Sequence, residues 1–243
     1  MHTIETPFGA PGFLVLSGSR LYGMDTPESD YDYVGALIEP AAYRVGLQNF
    51  SEGRNHQHGF EQFTFKGDNF EGTVYSLWKL ARMFAEGNPT SLCLLFAPPI
   101  RDDFGICTAE FREMVCSIKS GHRFLKYMQS QREDMLGGRV PRKDLVARYG
   151  YDTKFAGHVL RLGYQGCEFL ATGKVTLPME HDGGGGNCID VRNGLWTKEQ
   201  VLSESEALER RMEQLLLSTH LPEGPNYEAL DAWIIEKYLA FWS

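Results

Sequence analysis

No stretch of the 243-residue chain approaches the roughly eighteen consecutive apolar residues that a bilayer-spanning helix needs, so the sequence points to no membrane partner. The opening Met1-His2-Thr3-Ile4-Glu5-Thr6 lacks a basic region followed by an apolar run, and the expected location is therefore cytoplasmic. Cysteines number only five, an odd count with no Cys-x-x-Cys pair and no regular spacing to histidine. They read as reduced thiols, mostly in the core, rather than as a disulfide framework or a zinc site. Basic charge is also scarce: 24 Lys and Arg stand against 32 Asp and Glu, with a formal charge of −8. That balance argues against a general nucleic-acid coat, although a local basic face is compatible with it. Internal repeats of solenoid period are missing too. What the chain does have is 42% apolar and 12% aromatic residues, enough for a packed core in one large or two small domains.

Chemistry concentrates near the N-terminus. Phe13-Leu14-Val15-Leu16 reads as a short buried strand, and Gly18-Ser19 would turn it into a brief helix whose free N–H groups form an anion site. Asp30 and Asp32 flank a single residue ahead of the strand-like Tyr33-Val34-Gly35-Ala36-Leu37-Ile38, so a period of two places both carboxylates on one face. Paired hard oxygen ligands suit Mg²⁺ shared with a triphosphate. Turn and carboxylates together point to metal-assisted nucleotidyl transfer, with Mg²⁺ or Mn²⁺ as cofactor and an NTP as substrate. Either half alone is commonly just a turn or a solvated strand edge.

The string Ser17-Gly18-Ser19-Arg20-Leu21-Tyr22-Gly23 with Thr26-Pro27-Glu28-Ser29-Asp30-Tyr31-Asp32 resembles the signature of the DNA polymerase β-like nucleotidyltransferase superfamily. Further stretches resemble its RNA repair pathway-associated branch, RlaP, found in bacteria and phages. They are Val74-Tyr75-Ser76-Leu77, Gly87-Asn88-Pro89-Thr90, Tyr151 to His158, and Val191-Arg192-Asn193-Gly194. The resemblance implies an α+β fold: a mixed nucleotidyltransferase sheet with flanking helices, followed by a C-terminal helical domain. It further implies that Gly18, Ser19 and Arg20 contact the nucleotide, with Tyr22 equally a packing residue.

Along the chain, 1–103 is expected to form the catalytic domain and 104–243 the mainly helical one. Pro40 to Gly59 is polar and irregular and reads as a mobile loop, with His56 and His58 solvated rather than metal-bound. A hairpin follows, with strands at 61–66 and 70–75 about a Gly67-Asp68-Asn69 turn. Ser76 and Gly87 bracket an amphipathic helix, and Pro98-Pro99 marks a boundary. Helices are predicted at 109–120, 123–135, 143–170 with a break near Gly150, 197–218 and 227–242. The tract Gly183 to Gly186 reads as a flexible linker rather than a phosphate cradle.

Enzymes of the resembled superfamily usually carry a third acidic residue on a neighbouring strand, and Glu71 occupies the place where related sequences have aspartate. Glu61 and Asp68 are the alternatives. Lys154, His158 and Arg161 recur at helical spacing on one face. A solvated face would explain them, whereas the resemblance assigns Lys154 and His158 to the triphosphate. Arg123, Lys126, Arg132, Arg139, Arg142, Lys143 and Arg148, interleaved with Tyr127 and Tyr149, form either a solvated surface or a polynucleotide-binding one. An RNA end, such as that of a tRNA, is the acceptor the family implies. Transfer to a protein or small molecule, and nucleotide binding without turnover, are the competing readings.

Overall fold

The computed structural model describes residues 2–52, 55–138 and 142–243; Met1, Gly53, Arg54 and 139–141, including Arg139 of the basic set, lie outside the described residues. Five strands form a mixed sheet: β1 (Phe13–Leu16), β2 (Tyr31–Leu37), β5 (Gln62–Lys66), β6 (Phe70–Ser76) and β7 (Pro99–Asp102), in the order β5-β6-β2-β1-β7. β2 runs parallel to β6, and the other neighbours are antiparallel. β1 is apolar throughout because both its faces are covered. Phe13 and Val15 join a large cluster under the helices, while Leu14 joins a smaller one on the opposite face with Tyr33, Leu37, Phe60 and Val74. The alternation in β2 carries Asp32, Val34 and Ala36 onto the helix side.

Four short elements surround the sheet: α1 (Gly18–Tyr22), α2 (Ala41–Arg44), β3 (Asn49–Glu52) and β4 (Asn55–His58). The last three replace the irregular loop expected between Pro40 and Gly59, and His56 and His58 fall in β4. Phe50 explains the order that polar composition hid, because its ring packs 5.8 Å from Phe8 and 5.0 Å from Phe60. Pro99, expected at a boundary, lies within regular structure. It starts the edge strand β7, a position where its missing N–H costs no ladder bond.

Helices α3 (Leu77–Ala85) and α4 (Pro89–Leu94) follow the hairpin: Ser76 caps the first as expected, accepting from the Lys79 N–H, and Asn88 caps the second, accepting from those of Thr90 and Ser91. Next come α5 (Ala109–Val115), α6 (Ile118–Glu133), α7 (Lys143–Tyr149) and α8 (Thr153–Thr172). Cys116 and Ser117 are extended and split the helix expected over 109–120 in two. Gly150, left-handed at φ +81°, separates α7 from α8, and Asp152 caps the latter. After α9 (Gly184–Arg192) come α10 (Lys198–Leu216) and α11 (Tyr227–Trp242). The glycine tract is thus the first turn of a helix, not a linker. A Cβ on Gly184 would stand 2.4 Å from Cγ of Tyr164, and one on Gly186 2.2 Å from the His181 carbonyl oxygen. Composition mimics a linker there because tight packing also demands glycine.

One apolar cluster extends from Phe13 to Tyr238 and crosses residue 103, so a division there is a proposal about chain organisation. α11 returns to the sheet: the Tyr238 hydroxyl donates to the buried Glu39 carboxylate at 2.9 Å, and Trp242 Nε1 donates to the Glu39 carbonyl at 2.9 Å.

Candidate active site

The register of β1 against β2 brings the Gly-Ser turn beside the first carboxylate. Leu16 faces Tyr33, and the Ser17 N–H donates to the Asp32 carbonyl at 2.8 Å. Gly18 then turns at φ +61°, where a Cβ would lie 1.8 Å from Oδ2 of Asp32. Both the backbone and the contact therefore require glycine. On the other side, parallel pairing sets Asp32 directly opposite Glu71. Asp30 precedes the strand and acts on Asp32 electrostatically. Burial, then the Glu71 and Asp30 charges, push the Asp32 carboxyl above the usual carboxylate range; Lys154 and Arg20 pull the other way.

Asp32 and Glu71 line an open cavity of about 600 Å³ over the sheet, with Thr64, Thr73 and Lys66. Lys66 is the cation there, and its Nζ is 3.0 Å from Oε2 of Glu71, both side chains being exposed. Among the described residues no preassembled group of three or more His, Cys, Asp or Glu could hold a metal ion. The donor chemistry nevertheless fits a divalent cation: Asp30, Asp32 and Glu71 offer hard oxygens, and their mutual repulsion at Asp32 is the field that a cation relieves.

Across the Gly18 turn lies a second cavity, of about 320 Å³ and opposite electrostatic character. Gly18 and Ser19 border it, and Lys154, Arg161, Arg192 and Arg142 converge on it from α8, the end of α9 and the residue before α7. Arg161 is only 3% exposed. It donates to Gln165 Oε1 at 2.7 Å and to His158 Nδ1 at 2.9 Å, and its guanidinium carbon stands 3.8 Å over the Tyr22 ring. None of these partners is an anion. Among the described residues no carboxylate forms a salt bridge with Lys154, Arg161 or Arg192. The Tyr22 hydroxyl, buried beside them, lacks a hydrogen-bond partner. Arg161 is thus a buried cation without a counterion, which is costly, and an orphaned hydroxyl adds to the cost. An anionic ligand would satisfy both.

His158 enters this basin as a neutral ring. Burial, reinforced by Arg161, drives its pKa down to about 3. Since Nδ1 accepts from Arg161, the proton resides on Nε2 and can be donated. It is thus a neutral hydrogen-bond donor on the face it shares with Lys154.

Arg20 lines neither cavity. Its contacts run instead to Asp25 and to the carbonyls of Ser29 and Asp30. The wider basic set is also dispersed: Arg132 pairs with Glu209, Arg142 with Asp152, and Arg148 lies over Tyr149. Arg123, Lys126 and Tyr127 do share a groove of about 310 Å³, and the Tyr127 ring stands 5.6 Å from that of His158. Arg161 shares the helix face of Lys154 and His158, Arg142 belongs to the basic set that sequence leaves as solvated or polynucleotide-binding, and Arg192 carries no sequence expectation of its own. The signal for Arg192 was its place in the Val191-Arg192-Asn193-Gly194 stretch.

Comparison with known proteins places this geometry in context. The model of the RNA repair pathway DNA polymerase beta family, RlaP, matches residues 12–236. An uncharacterized 38.9 kDa protein from the nrdC-mobD intergenic region of Enterobacteria phage T4 is 33% identical over 82 residues, 34% of this chain. The aligned part spans 24% of that relative's length. Among solved structures, a nucleotidyltransferase-like protein from Exiguobacterium sibiricum aligns over 86% of this chain and 69% of its own, with 12% identity and a TM-score of 0.32.

Proposed function

Given that the chain belongs to the RNA repair pathway DNA polymerase beta family, a family of nucleotidyltransferases, we propose that it moves a nucleoside monophosphate from an NTP to an acceptor hydroxyl in a Mg²⁺- or Mn²⁺-dependent reaction. The observation that carries this reading is the pairing of an acidic cavity with a cationic one across the Gly18 turn. The cationic basin, through Lys154, Arg161 and Arg192, holds the triphosphate, and neutral His158 donates from Nε2 to a phosphate oxygen. Asp32, its carboxyl raised by burial and by Glu71 and Asp30, accepts the acceptor hydroxyl's proton. The acceptor oxygen forms a bond to the α-phosphorus while the α,β-bridging bond breaks, and pyrophosphate leaves into the cationic side. A divalent ion held by Asp30, Asp32 and Glu71 supplies Lewis-acid charge to these oxygens when bound.

An RNA end is the leading acceptor, supported by the family description and by the groove of Arg123, Lys126 and Tyr127 close to His158. A protein or small-molecule hydroxyl is the second reading, favoured by a specific feature: among the described residues, the acidic cavity offers an incoming phosphate only Lys66, already paired to Glu71. Incubation with each α-labelled NTP, Mg²⁺ or Mn²⁺, and total RNA, protein lysate or small acceptors separates the two. Label in RNA supports the first and label in protein or small molecules the second; label in none removes the transferase reading.

A further inference from the structure

Arg20 stands one residue after the Gly18-Ser19 pair, where a phosphate ligand would be expected, yet its donors are engaged elsewhere. Nη1 is 3.0 Å from Oδ2 of Asp25, Nη2 donates to the Ser29 carbonyl at 2.6 Å, and Nε donates to the Asp30 carbonyl at 3.3 Å. Its guanidinium carbon lies 3.9 Å over the ring of Tyr31. One planar group thus clamps both sides of the segment from Asp25 to Tyr31, whose residues 25–28 are exposed. Apart from the Tyr31 N–H, which donates to the Asn69 carbonyl at 2.9 Å, the other bonds of the segment close the Thr26–Ser29 turn: the Ser29 N–H donates to the Thr26 carbonyl at 2.9 Å, and the Thr26 N–H donates to Oγ of Ser29 at 2.9 Å.

We infer that Arg20 is a positioning residue, fixing the backbone that holds Asp30 at the entry to β2, two residues before Asp32, and not a nucleotide contact. The inference rests on the reading of Asp30 as a metal-binding carboxylate. Reacting groups must be held to about half an ångström, and Asp30 sits at the end of a solvent-exposed loop, ahead of the first strand residue. A planar fork meets one carboxylate and two carbonyls at once; a lysine ammonium keeps the charge without that geometry. The distinction separates bracing from the alternative in which Arg20 acts only through its field on Asp32.

The test compares wild type with R20K, R20Q and D25N in the full chain. Mn²⁺ binding without nucleotide, followed by electron paramagnetic resonance, should weaken about 10-fold or more in R20Q and nearly as much in R20K, as for other residues that orient metal ligands. D25N, which leaves both carbonyl contacts in place, should show a smaller loss and serves as the second variant if R20Q does not fold. In turnover, kcat should fall about 10- to 100-fold with the KM for NTP held within about twofold. Amide hydrogen exchange at residues 26–31 should quicken in R20Q. A raised KM with unchanged Mn²⁺ affinity would overturn the inference in favour of phosphate contact, and R20K behaving as wild type would overturn it in favour of a field effect. If wild type turns over no NTP, the transferase reading fails while the Mn²⁺ and exchange measurements still decide the role of Arg20.

Discussion

Asp32 and Glu71 stand opposite each other in the parallel register of β2 and β6, and the charge of Glu71 helps hold the Asp32 carboxyl protonated to higher pH than usual. In the unfolded chain that repulsion disappears. The native state therefore holds a proton that the unfolded chain has already released, and stability falls as pH rises from the unfolded pKa through the folded one. Without added metal, D32N should raise the melting temperature at pH 7 while eliminating transfer. Calorimetric scans across pH 4 to 8 check this: the D32N profile should be flatter than that of wild type over the window where Asp32 ionises.

Substituting Gly18 should damage the site more than its size suggests. Alanine there meets a left-handed backbone, costing about 1–2 kcal/mol, and its Cβ collides with the carboxylate of Asp32. G18A should lose about 100-fold in transfer, and denaturant unfolding should register at least the backbone cost.

The cationic basin, with Lys154 exposed at its edge and Arg161 buried, sets the expectation for nucleotide affinity. K154A should weaken NTP binding by about 10-fold or more in titration calorimetry, with little change in melting temperature, because no salt bridge within the described residues depends on Lys154. Saturating NTP should raise the melting temperature of wild type, about 2.7 kcal/mol of stabilisation being expected at a hundredfold excess over Kd.

His158 gives a pH test of opposite sign. Its folded pKa near 3 lies far below the ordinary value, so the unfolded chain binds a proton that the native ring refuses. The contribution of His158 to stability is present above the unfolded pKa and is lost as pH falls toward the folded one. Its ring resonances should remain those of a neutral Nε2–H imidazole from pH 8 down to 5; an ordinary titration near 6.5 would remove it as a neutral donor.

Much of the site was legible because its parts are local. Gly18, Asp30 and Asp32 lie within fifteen residues, and a strand–turn–strand pattern suffices to set them side by side. Glu71 is assigned through the family resemblance rather than any local pattern, and the register of β2 and β6 sets it opposite Asp32. The cationic basin was only half visible: Lys154 and His158 show helical spacing, but Arg192 reaches them from another helix, a relationship no periodicity encodes. Arg20 directly follows Gly18-Ser19, but its guanidinium turns to Asp25, Ser29 and Asp30, a direction that sequence does not show. The sheet's edge strand β7 and the hairpin of β3 and β4 were missed because proline and polar residues conceal strands that pair at an edge or pin themselves by one aromatic ring.

Pyrophosphate release is the most direct measure of the proposed chemistry. With Mg²⁺ or Mn²⁺, an NTP and total RNA as acceptor source, wild type should release pyrophosphate in step with label incorporation, and D30N and D32N should release none above background. Nucleotide binding by wild type without pyrophosphate release in any acceptor mixture would contradict the transferase account and leave a nucleotide-binding module in its place.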